Sequence, residues 1–525
     1  MKCFLFLVLA FSTALAQTIP PNVQVNTFGT FHPEVTIAIN PADPQNLLVS
    51  SNGLQVYYSY DGGQTWGQHY QSSVYGNSGD PSVIFDYHGN AYLATLAYQA
   101  DSNFVLDRII VHRSEDGGNV WNYVYFAGFD STTFQDKEWL AADHTSSSFK
   151  GNLYLSWTRF DACPGLTPLT SRDSTRIMFA YSTDSATSWS SAIRISDRQG
   201  DCSDKDSTME GAVPAVGPQG QVYIAWAGLN KIWFDKSADG GRTFGKDKII
   251  AEQPGGWDFP VSGLMRCNGL PQTLCDTSKS SPFYGTIYVV FSDQRNREDN
   301  TDVFLVKSTD QGETWSAPIK VNQDTGRVQQ FFPWAAIDPG SGYLYVVFYD
   351  RREHKGDTTD VYLARSTDGG ETFSDFRVNQ DSFVPCADYF LGDYIGITAL
   401  NGNVYPVWVK MVSFKTSIYL ALVSEPVGVE QSEAGVPVTP RLMQNFPNPF
   451  NPVTHIVFDL PQRSHVRVEV FDLNGRKVAT LVHGWLNAGR HQTVFDATGC
   501  ASGVYLYQLS TDKGFVQSKK MLLLR

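Results

Sequence analysis

The chain has 525 residues, of which 13% are aromatic and only 18% are charged, and it carries 44 glycines and a formal net charge of −13 at pH 7. The negative charge argues against nucleic acid or an anionic membrane surface as a partner, because both attract basic patches. Apolar residues alternate in short runs between glycine-rich turns, and no long stretch has a helical periodicity. This pattern is typical of a secreted all-β protein.

The first 16 residues are predicted to be a signal peptide. Lys2 is followed by the apolar run CFLFLVLAF and by Ala14-Leu15-Ala16 before Gln17, the order that export signals use. The apolar run is too short to span a membrane, and no transmembrane segment is expected elsewhere. We therefore predict export to the periplasm and then secretion or display on the outer cell surface.

One short pattern, Ser-x-Asp-x-Gly-x-Thr-Trp with close variants, then recurs six times, most clearly as SYDGGQTW. Its aspartates are Asp61, Asp116, Asp184, Asp239, Asp310 and Asp368. The pattern predicts a tight hairpin turn, in which the carboxylate accepts backbone N–H groups, glycine supplies positive φ and the aromatic residue packs between sheets. These aspartates are therefore predicted to be structural.

The intervals between the repeats, 55 to 71 residues, fit one four-stranded propeller blade of about 40–50 residues with insertions. A seventh unit, residues 389–424, has three strands and no box. The segment Pro21–Asn26 resembles the fourth strands of other units. We therefore predict an all-β, seven-bladed propeller over residues 17–425, closed by pairing of Val23–Asn26 with Ser417–Val423. A six-bladed ring with residues 389–424 outside it is the alternative.

These repeats resemble the Asp-boxes of the sialidase superfamily, and the likeness runs from about residue 18 to 425. The resemblance implies a propeller that binds glycans or glycoproteins and, in catalytic members, hydrolyses them as an exo-sialidase or another glycoside hydrolase. The Arg-Ile-Pro signature of true sialidases does not occur here. Asp-boxes also occur in non-catalytic propellers, so an adhesion or scaffolding protein is the alternative.

Candidate site residues lie at the starts of the first strands, on the face opposite the boxes. GDYIGITALNGNVY aligns without gaps on GDPSVIFDYHGNAY, which places Asp393 and Asp80 equivalently, and Glu34 takes that place in the first unit. Lys137, with Glu138 beside it, and Phe332 are the counterparts in units three and six. Ring closure makes units seven, one and two neighbours, so Asp393, Glu34 and Asp80 are predicted to form one catalytic cluster, with one acid and one base or nucleophile. Turn-satisfying carboxylates are the alternative.

The same mouth is predicted to offer substrate-binding residues, namely Arg266, Arg295, Arg351, Tyr394 and Trp334. The arginines could imitate the sialidase triad and Tyr394 its nucleophile, whereas ion pairs between blades and aromatic channel packing are the structural alternatives. The ten histidines show no metal-ligand spacing. No cofactor or catalytic metal is predicted, although clustered carboxylates could hold a structural Ca²⁺.

Six cysteines follow the signal peptide, and an even number in an exported chain permits disulfides. Cys267 with Cys275 is the favoured pair, and Cys163 with Cys202 comes next. Buried or unpaired thiols are the alternative, because sequence does not supply the Cα separations that a disulfide demands.

Composition changes at residues 426–440, a proline-containing linker. Residues 441–525 then read as about seven alternating strands with turns at Asn474-Gly475 and Asp512–Gly514, a small β-sandwich. Through NFPNPFNP, DLNGRKV, SGVYLYQL and the basic end, this segment resembles the type A C-terminal sorting domain of type IX secretion. The resemblance implies an immunoglobulin-like fold, the type IX machinery as partner and a Gram-negative, Bacteroidota-like host that commonly removes the domain at its surface. A plain adhesive sandwich is the alternative.

Overall fold

The computed structural model describes residues 19–26, 31–52, 55–70, 73, 75–99, 106–121, 123–161, 174–412, 414–424, 440–442, 445 and 450–524. Within these ranges, regular structure is entirely β. The predicted signal peptide and residues 426–439 of the predicted linker lie outside these ranges. The described chain contains no helix of the length and apolar character that crossing a membrane requires. The chain divides into two compact units after Glu425.

The first unit starts with β1 (Asn22–Gln24) and continues as seven sheets in chain order. Sheet 1 contains β2 (Thr36–Ile39), β3 (Leu47–Ser51), β4 (Gln55–Ser59) and β5 (Gly67–Tyr70). Sheet 2 contains β6 (Gly76–Phe85), β7 (Ala91–Tyr98), β8 (Arg108–Ser114) and β9 (Tyr123–Phe129). Sheet 3 contains β10 (Phe134–Ala142), β11 (Leu153–Phe160), β12 (Thr175–Ser182) and β13 (Ile193–Arg194). Sheet 4 contains β14 (Glu210–Val216), β15 (Val222–Gly228), β16 (Lys231–Ser237) and β17 (Lys248–Glu252). Sheet 5 contains β18 (Gln272–Cys275), β19 (Ile287–Arg297), β20 (Asn300–Ser308) and β21 (Ile319–Lys320). Sheet 6 contains β22 (Gln330–Ile337), β23 (Leu344–Asp350), β24 (Asp360–Ser366) and β25 (Ser374–Arg377). Sheet 7 contains β26 (Gly396–Leu400), β27 (Asn403–Val412), β28 (Lys415–Ala421) and β29 (Val423–Ser424).

The first strands of these sheets contact one another in cyclic order. Strand β2 touches both β6 and β26, and the series continues through β10, β14, β18 and β22 back to β26. Sheet 7 therefore lies beside sheet 1. The sheets form a closed ring, as in a β-propeller, with their first strands innermost.

Strand β1 completes sheet 7 from the other end of the chain. Asn22 pairs with Ala421 and Val23 with Leu420 in antiparallel register, and the Val25 N–H donates to the Ile418 carbonyl at 2.9 Å. The predicted pairing of the N-terminal segment with residues 417–423 is confirmed. It covers the edge of β28, which would otherwise present unpaired backbone groups.

Each Asp-box forms the same turn around a buried serine hydroxyl. In all six, the serine Oγ donates to the box aspartate at 2.7–2.9 Å. The same oxygen accepts a backbone N–H four residues later at 2.8–3.0 Å. The aspartate accepts the N–H four residues further on at 2.9–3.0 Å. The predicted turn geometry is confirmed, and Ala186 at φ 66° replaces the usual glycine in the third box.

We expect Asp61→Ala to lower the free energy of unfolding by about 1–3 kcal/mol, because the Thr65 N–H, the Thr65 hydroxyl and the Ser59 hydroxyl all lose their acceptor. Ligand binding per folded molecule should be unchanged, since the box lies on the opposite face from the candidate site. Chemical denaturation measures the effect, with Gln68→Ala, an exposed position on β5 of the same sheet, as control. Lost binding at full stability would contradict a structural role.

The predicted Cys267–Cys275 disulfide is wrong, because both residues are free thiols. Cys267 is 1% exposed and packs in the cluster that contains Phe259 and Phe331, whereas Cys275, at the end of β18, packs with Trp315. The two side chains thus belong to different cores. Cys202 packs on Phe160. Cys163 lies outside the described residues, so the Cys163–Cys202 pair stays a prediction.

The second unit is a sandwich of two antiparallel sheets. One sheet contains β30 (Arg441–Leu442), β31 (Val453–Leu460) and β34 (Gly489–Asp496), and the other contains β33 (Lys477–Leu486), β32 (Ser464–Phe471), β35 (Gly503–Thr511) and β36 (Val516–Leu523). Alternate residues such as Val466, Val468 and Val470 face a shared apolar core with Phe458 and Tyr507. The predicted turns are present, with the Gly475 N–H donating to the Asp472 carbonyl and that of Gly514 to Thr511.

Candidate functional site

The starts of the first strands lie at the opposite end of each sheet from the boxes. In sheet 1, Thr36 pairs with Ser50 and Ser50 with Val56, whereas Ser59, next to the box, pairs with Leu47. The chain segments that enter the first strands therefore surround one end of the ring. We call this end the mouth.

A recurrent backbone distortion positions the side chains at the mouth. Glu34, Asp80, Lys137 and Phe332 all have left-handed backbone, with φ of 59°, 48°, 51° and 50°, and Gly211 of sheet 4 follows at 76°. In β6, β10, β14 and β22 this residue sits in a β-bulge. This conformation costs a non-glycine residue about 1–3 kcal/mol, and residues that adopt it are concentrated at functional sites. The shared geometry supports the predicted equivalence of the four non-glycine positions. Asp393, which the alignment places with Asp80, is not among the residues with left-handed backbone.

Three predicted carboxylates converge on one ammonium group. Lys137 Nζ, from sheet 3, lies 2.8 Å from Asp393 Oδ2, 3.1 Å from Asp80 Oδ2 and 3.6 Å from Glu34 Oε1. Glu34, Asp80 and Asp393 are 1%, 8% and 4% exposed. Desolvated charges of one sign need a counter-ion, and the amine of Lys137 supplies it from the centre of the cluster.

Neighbouring amides and one arginine fix the carboxylates in place. Asn52 donates to Glu34 Oε2 and accepts the Asp80 N–H at 2.8 Å, so it bridges sheets 1 and 2. Arg266, in the loop before β18, donates to Asp393 Oδ2 at 2.7 Å. Asn268 donates to the Asp393 carbonyl at 3.0 Å. The cluster thus joins residues from sheets 1, 2, 3, 5 and 7.

The environment displaces the pKa values of two adjacent carboxyl groups in opposite directions. Burial, and then the negative charges of Asp80 and Asp393, raise the pKa of Glu34 well above its ordinary value. Burial also acts to raise the pKa of Asp80, but the Lys137 ammonium and hydrogen bonds from Glu34 and Asp136 outweigh it, so that this pKa is lowered. Glu34 is therefore the member of the pair that takes up a proton more readily.

Aromatic rings close the channel next to this cluster. The ring centroids of Trp139 and Trp334 are 4.5 Å apart, and Tyr394 lies 5.3 Å from Trp139 and 5.8 Å from Trp334. The Tyr394 hydroxyl donates to the Pro81 carbonyl at 3.3 Å. Burial, followed by the charges of Glu34 and Asp80, raises the pKa of Tyr394 well above its ordinary value. The phenol is thus held neutral, which makes it a poor nucleophile.

The other two predicted substrate arginines are bound elsewhere. Arg295 donates to Asp293, two residues earlier on the same strand, at 2.5 Å and lies 4.3 Å above the Phe304 ring. Arg351 donates to the Ser262 carbonyl at 2.8 Å and to Thr359 at 3.1 Å. Of the three predicted arginines, the described contacts bring only Arg266 to the carboxylate cluster.

Sequence reasoning did not give a site role to three further acidic residues at the mouth. Asp136 and Glu138 flank Lys137 on β10, and Glu210 precedes Gly211 at the start of β14. Burial, opposed by Lys137, raises the pKa of Asp136 to about 7. In the sequence, these acidic residues could have been found as direct neighbours of the aligned positions Lys137 and Gly211. Within the described chain, no group of three or more His, Cys, Asp or Glu side chains is arranged to hold a metal ion.

Comparisons with solved structures show similarity to several β-rich carbohydrate-active proteins. The Hadza microbial sialidase Hz136 is 13% identical, with 72% of this chain and 73% of that chain covered and a TM-score of 0.38. The sialidase of Trypanosoma rangeli is 11% identical, with 96% and 90% covered and a TM-score of 0.40. A polysaccharide lyase, an ulvan lyase, is 12% identical, with 77% and 96% covered and a TM-score of 0.47.

No curated protein matches the sequence. Residues 444–523, however, match the family described as the secretion system C-terminal sorting domain. This match covers four fifths of the second compact unit, Pro426–Arg525, and such a domain directs its protein to export. The second unit is therefore a secretion system C-terminal sorting domain.

Proposed function

We propose that this protein is a glycan-binding propeller of seven blades, exported by type IX secretion to the cell surface. The observation that carries the proposal is the mouth itself, where carboxylates of three neighbouring sheets, the Arg266 guanidinium and a cluster of three aromatic rings meet. Carboxylates accept hydrogen bonds from sugar hydroxyls, and aromatic faces stack on sugar rings. The seven sheets, with β1 completing the last, support the blade number.

The C-terminal sorting domain supports the cellular location. Its two packed antiparallel sheets are compatible with an immunoglobulin-like sandwich. In this proposal residues 441–525 contact the type IX machinery of a Gram-negative host, and the propeller acts outside the cell. The sandwich makes no contribution to glycan binding.

Glycoside hydrolysis is a second candidate function, favoured by the opposed pKa displacements of Glu34 and Asp80. A general acid must hold a proton at neutral pH while its partner stays ionised, and the opposed displacements of these two pKa values act in that direction. Two features favour binding alone. The carboxyl groups of Glu34 and Asp80 are already engaged by the Lys137 ammonium, at 3.6 Å and 3.1 Å. The pair is also almost completely buried.

Glycan binding is tested by removing one aromatic ring from the mouth. We expect Trp334→Ala to weaken glycan binding about tenfold or more by removing a stacking surface, as measured by calorimetry on a glycan panel that includes sialosides. Trp485→Ala, which removes an exposed tryptophan from the second unit, should leave binding unchanged. Binding by none of the glycans would overturn the proposal.

Glu34→Gln copies the shape of the protonated acid, so it should preserve binding. If the site is hydrolytic, the same variant should lower turnover of fluorogenic glycosides by about a hundredfold or more. Turnover that survives in Glu34→Gln would remove Glu34 from a catalytic role.

A further inference from the structure

Two carboxylates at the mouth are buried without a counter-ion. Glu138 is 1% exposed and Glu210 is fully buried. None of their four carboxylate oxygens has a hydrogen-bond partner among the described residues. Burial of a carboxylate is unfavourable unless a cation or a proton accompanies it. Burial accordingly raises the pKa of both carboxyl groups well above the ordinary value, and either a proton or a bound cation completes them.

Glu138 borders a small cavity at the centre of the mouth. Asp80, Lys137, Trp334 and Tyr394 line the same cavity, whose volume is about 40 Å³. That space holds about three water molecules and is too small for a sugar ring. It does accommodate a single small substituent of a sugar whose ring rests outside.

Acidic groups outnumber cations among the residues that line the cavity. Asp80, Glu138 and Asp393 line it, and Lys137 is the cation among the lining residues. The Lys137 ammonium already contacts Asp80 and Asp393. Glu138 is therefore the carboxyl group left to accompany an entering cation, whereas an entering carboxylate would be repelled.

We propose that this cavity binds the ammonium group of an amino sugar, with Glu138 as its counter-ion. The inference rests on the proposed glycan-binding function and names its ligand class. The rings of Trp139, Trp334 and Tyr394 at the cavity wall add a surface on which a cation is attracted by aromatic faces. The same lining disfavours sialic acid, whose carboxylate would face the three acidic residues of the cavity.

Calorimetry on the full mature chain with three probes tests the proposal. The probes are a glucosamine tetramer, its fully N-acetylated counterpart and methylammonium, which carries the cation without a sugar. We expect the amine tetramer to bind about tenfold or more tightly than the acetylated one, and methylammonium to compete with it. E138Q should weaken binding of the amine tetramer about tenfold. E210Q, at a buried carboxyl group outside the cavity lining, and Glu298→Gln, an exposed control, should change it by no more than about twofold.

Thermal unfolding shows whether a variant that binds weakly is still folded. E138Q and E210Q should melt at or above the temperature of the unmodified chain, since each removes a buried carboxylate that lacks a partner. Equal binding of both tetramers without binding of methylammonium would overturn the ammonium site and leave glycan binding intact. Binding of methylammonium without binding of any glycan would support the ammonium site and overturn the proposed function. Binding of no probe would overturn both.

Discussion

Lys137→Met is expected to lower the free energy of unfolding by about 3–5 kcal/mol, because it leaves three buried carboxylates without their shared cation. Lys137 Nζ lies within 3.6 Å of Glu34, Asp80 and Asp393. These charges hold the ammonium strongly enough to raise the pKa of Lys137 well above its ordinary value, despite the opposing effect of burial. Methionine keeps the length of the side chain and the left-handed backbone, so the change isolates the charge.

Chemical denaturation at several pH values measures this loss. The three carboxylates repel one another once the ammonium is gone, and protonation relieves the repulsion, so the loss should shrink as the pH falls. Lys355→Met, at an exposed position, should change stability by no more than about 0.5 kcal/mol. Adding Asp80→Asn and Asp393→Asn to Lys137→Met should recover part of the loss. A Lys137→Met protein as stable as the control would show that the cluster is not held by charge.

Most of the fold of the first unit could be predicted from the sequence repeats. Each box places a turn between the third and fourth strands, and the alternating runs between boxes supplied the other strands. The likeness of residues 21–26 to known fourth strands gave the β1–β28 pairing. Disulfide pairing could not be predicted in the same way, because Cys267 and Cys275 are close in sequence but their side chains enter different cores. A disulfide requires a short distance between the two residues in space, and their spacing in the sequence does not determine that distance.

The site was predictable where it follows from symmetry between units. Equivalent positions in units seven, one and two placed Asp393, Glu34 and Asp80 together, and the same alignment marked Lys137 without showing that its amine would lie at the centre. The arginines were harder to place. Arg295 follows Asp293 by two residues, and on a strand this spacing puts both side chains on one face, where they pair. Arg295 therefore forms an ion pair with its neighbour on the same strand and does not reach the carboxylate cluster.

Removal of residues 18–26 is expected to destabilise the first unit by about 5 kcal/mol or more. Val25 is 3% exposed, and its loss from the core costs about 2 kcal/mol. The hydrogen bonds from Val25 N to Ile418 O, from Leu422 N to Pro21 O and from Ile418 N to Asn26 Oδ1 contribute about 1 kcal/mol each. Asn22 also donates to the Val378 carbonyl at 2.8 Å and accepts the Gln380 N–H at 2.7 Å, which ties β1 to sheet 6.

A matched pair of proline variants makes the same test without truncation. Val25→Pro removes a donor that pairs with β28, so it should unfold at a clearly lower denaturant concentration. Antiparallel pairing alternates, so the N–H of Gln24 points away from β28 at the sheet edge, where proline is tolerated. Gln24→Pro should therefore change stability far less. A truncated chain that unfolds in one transition at the midpoint of the full chain, or equal effects of the two prolines, would show that β1 does not close the ring.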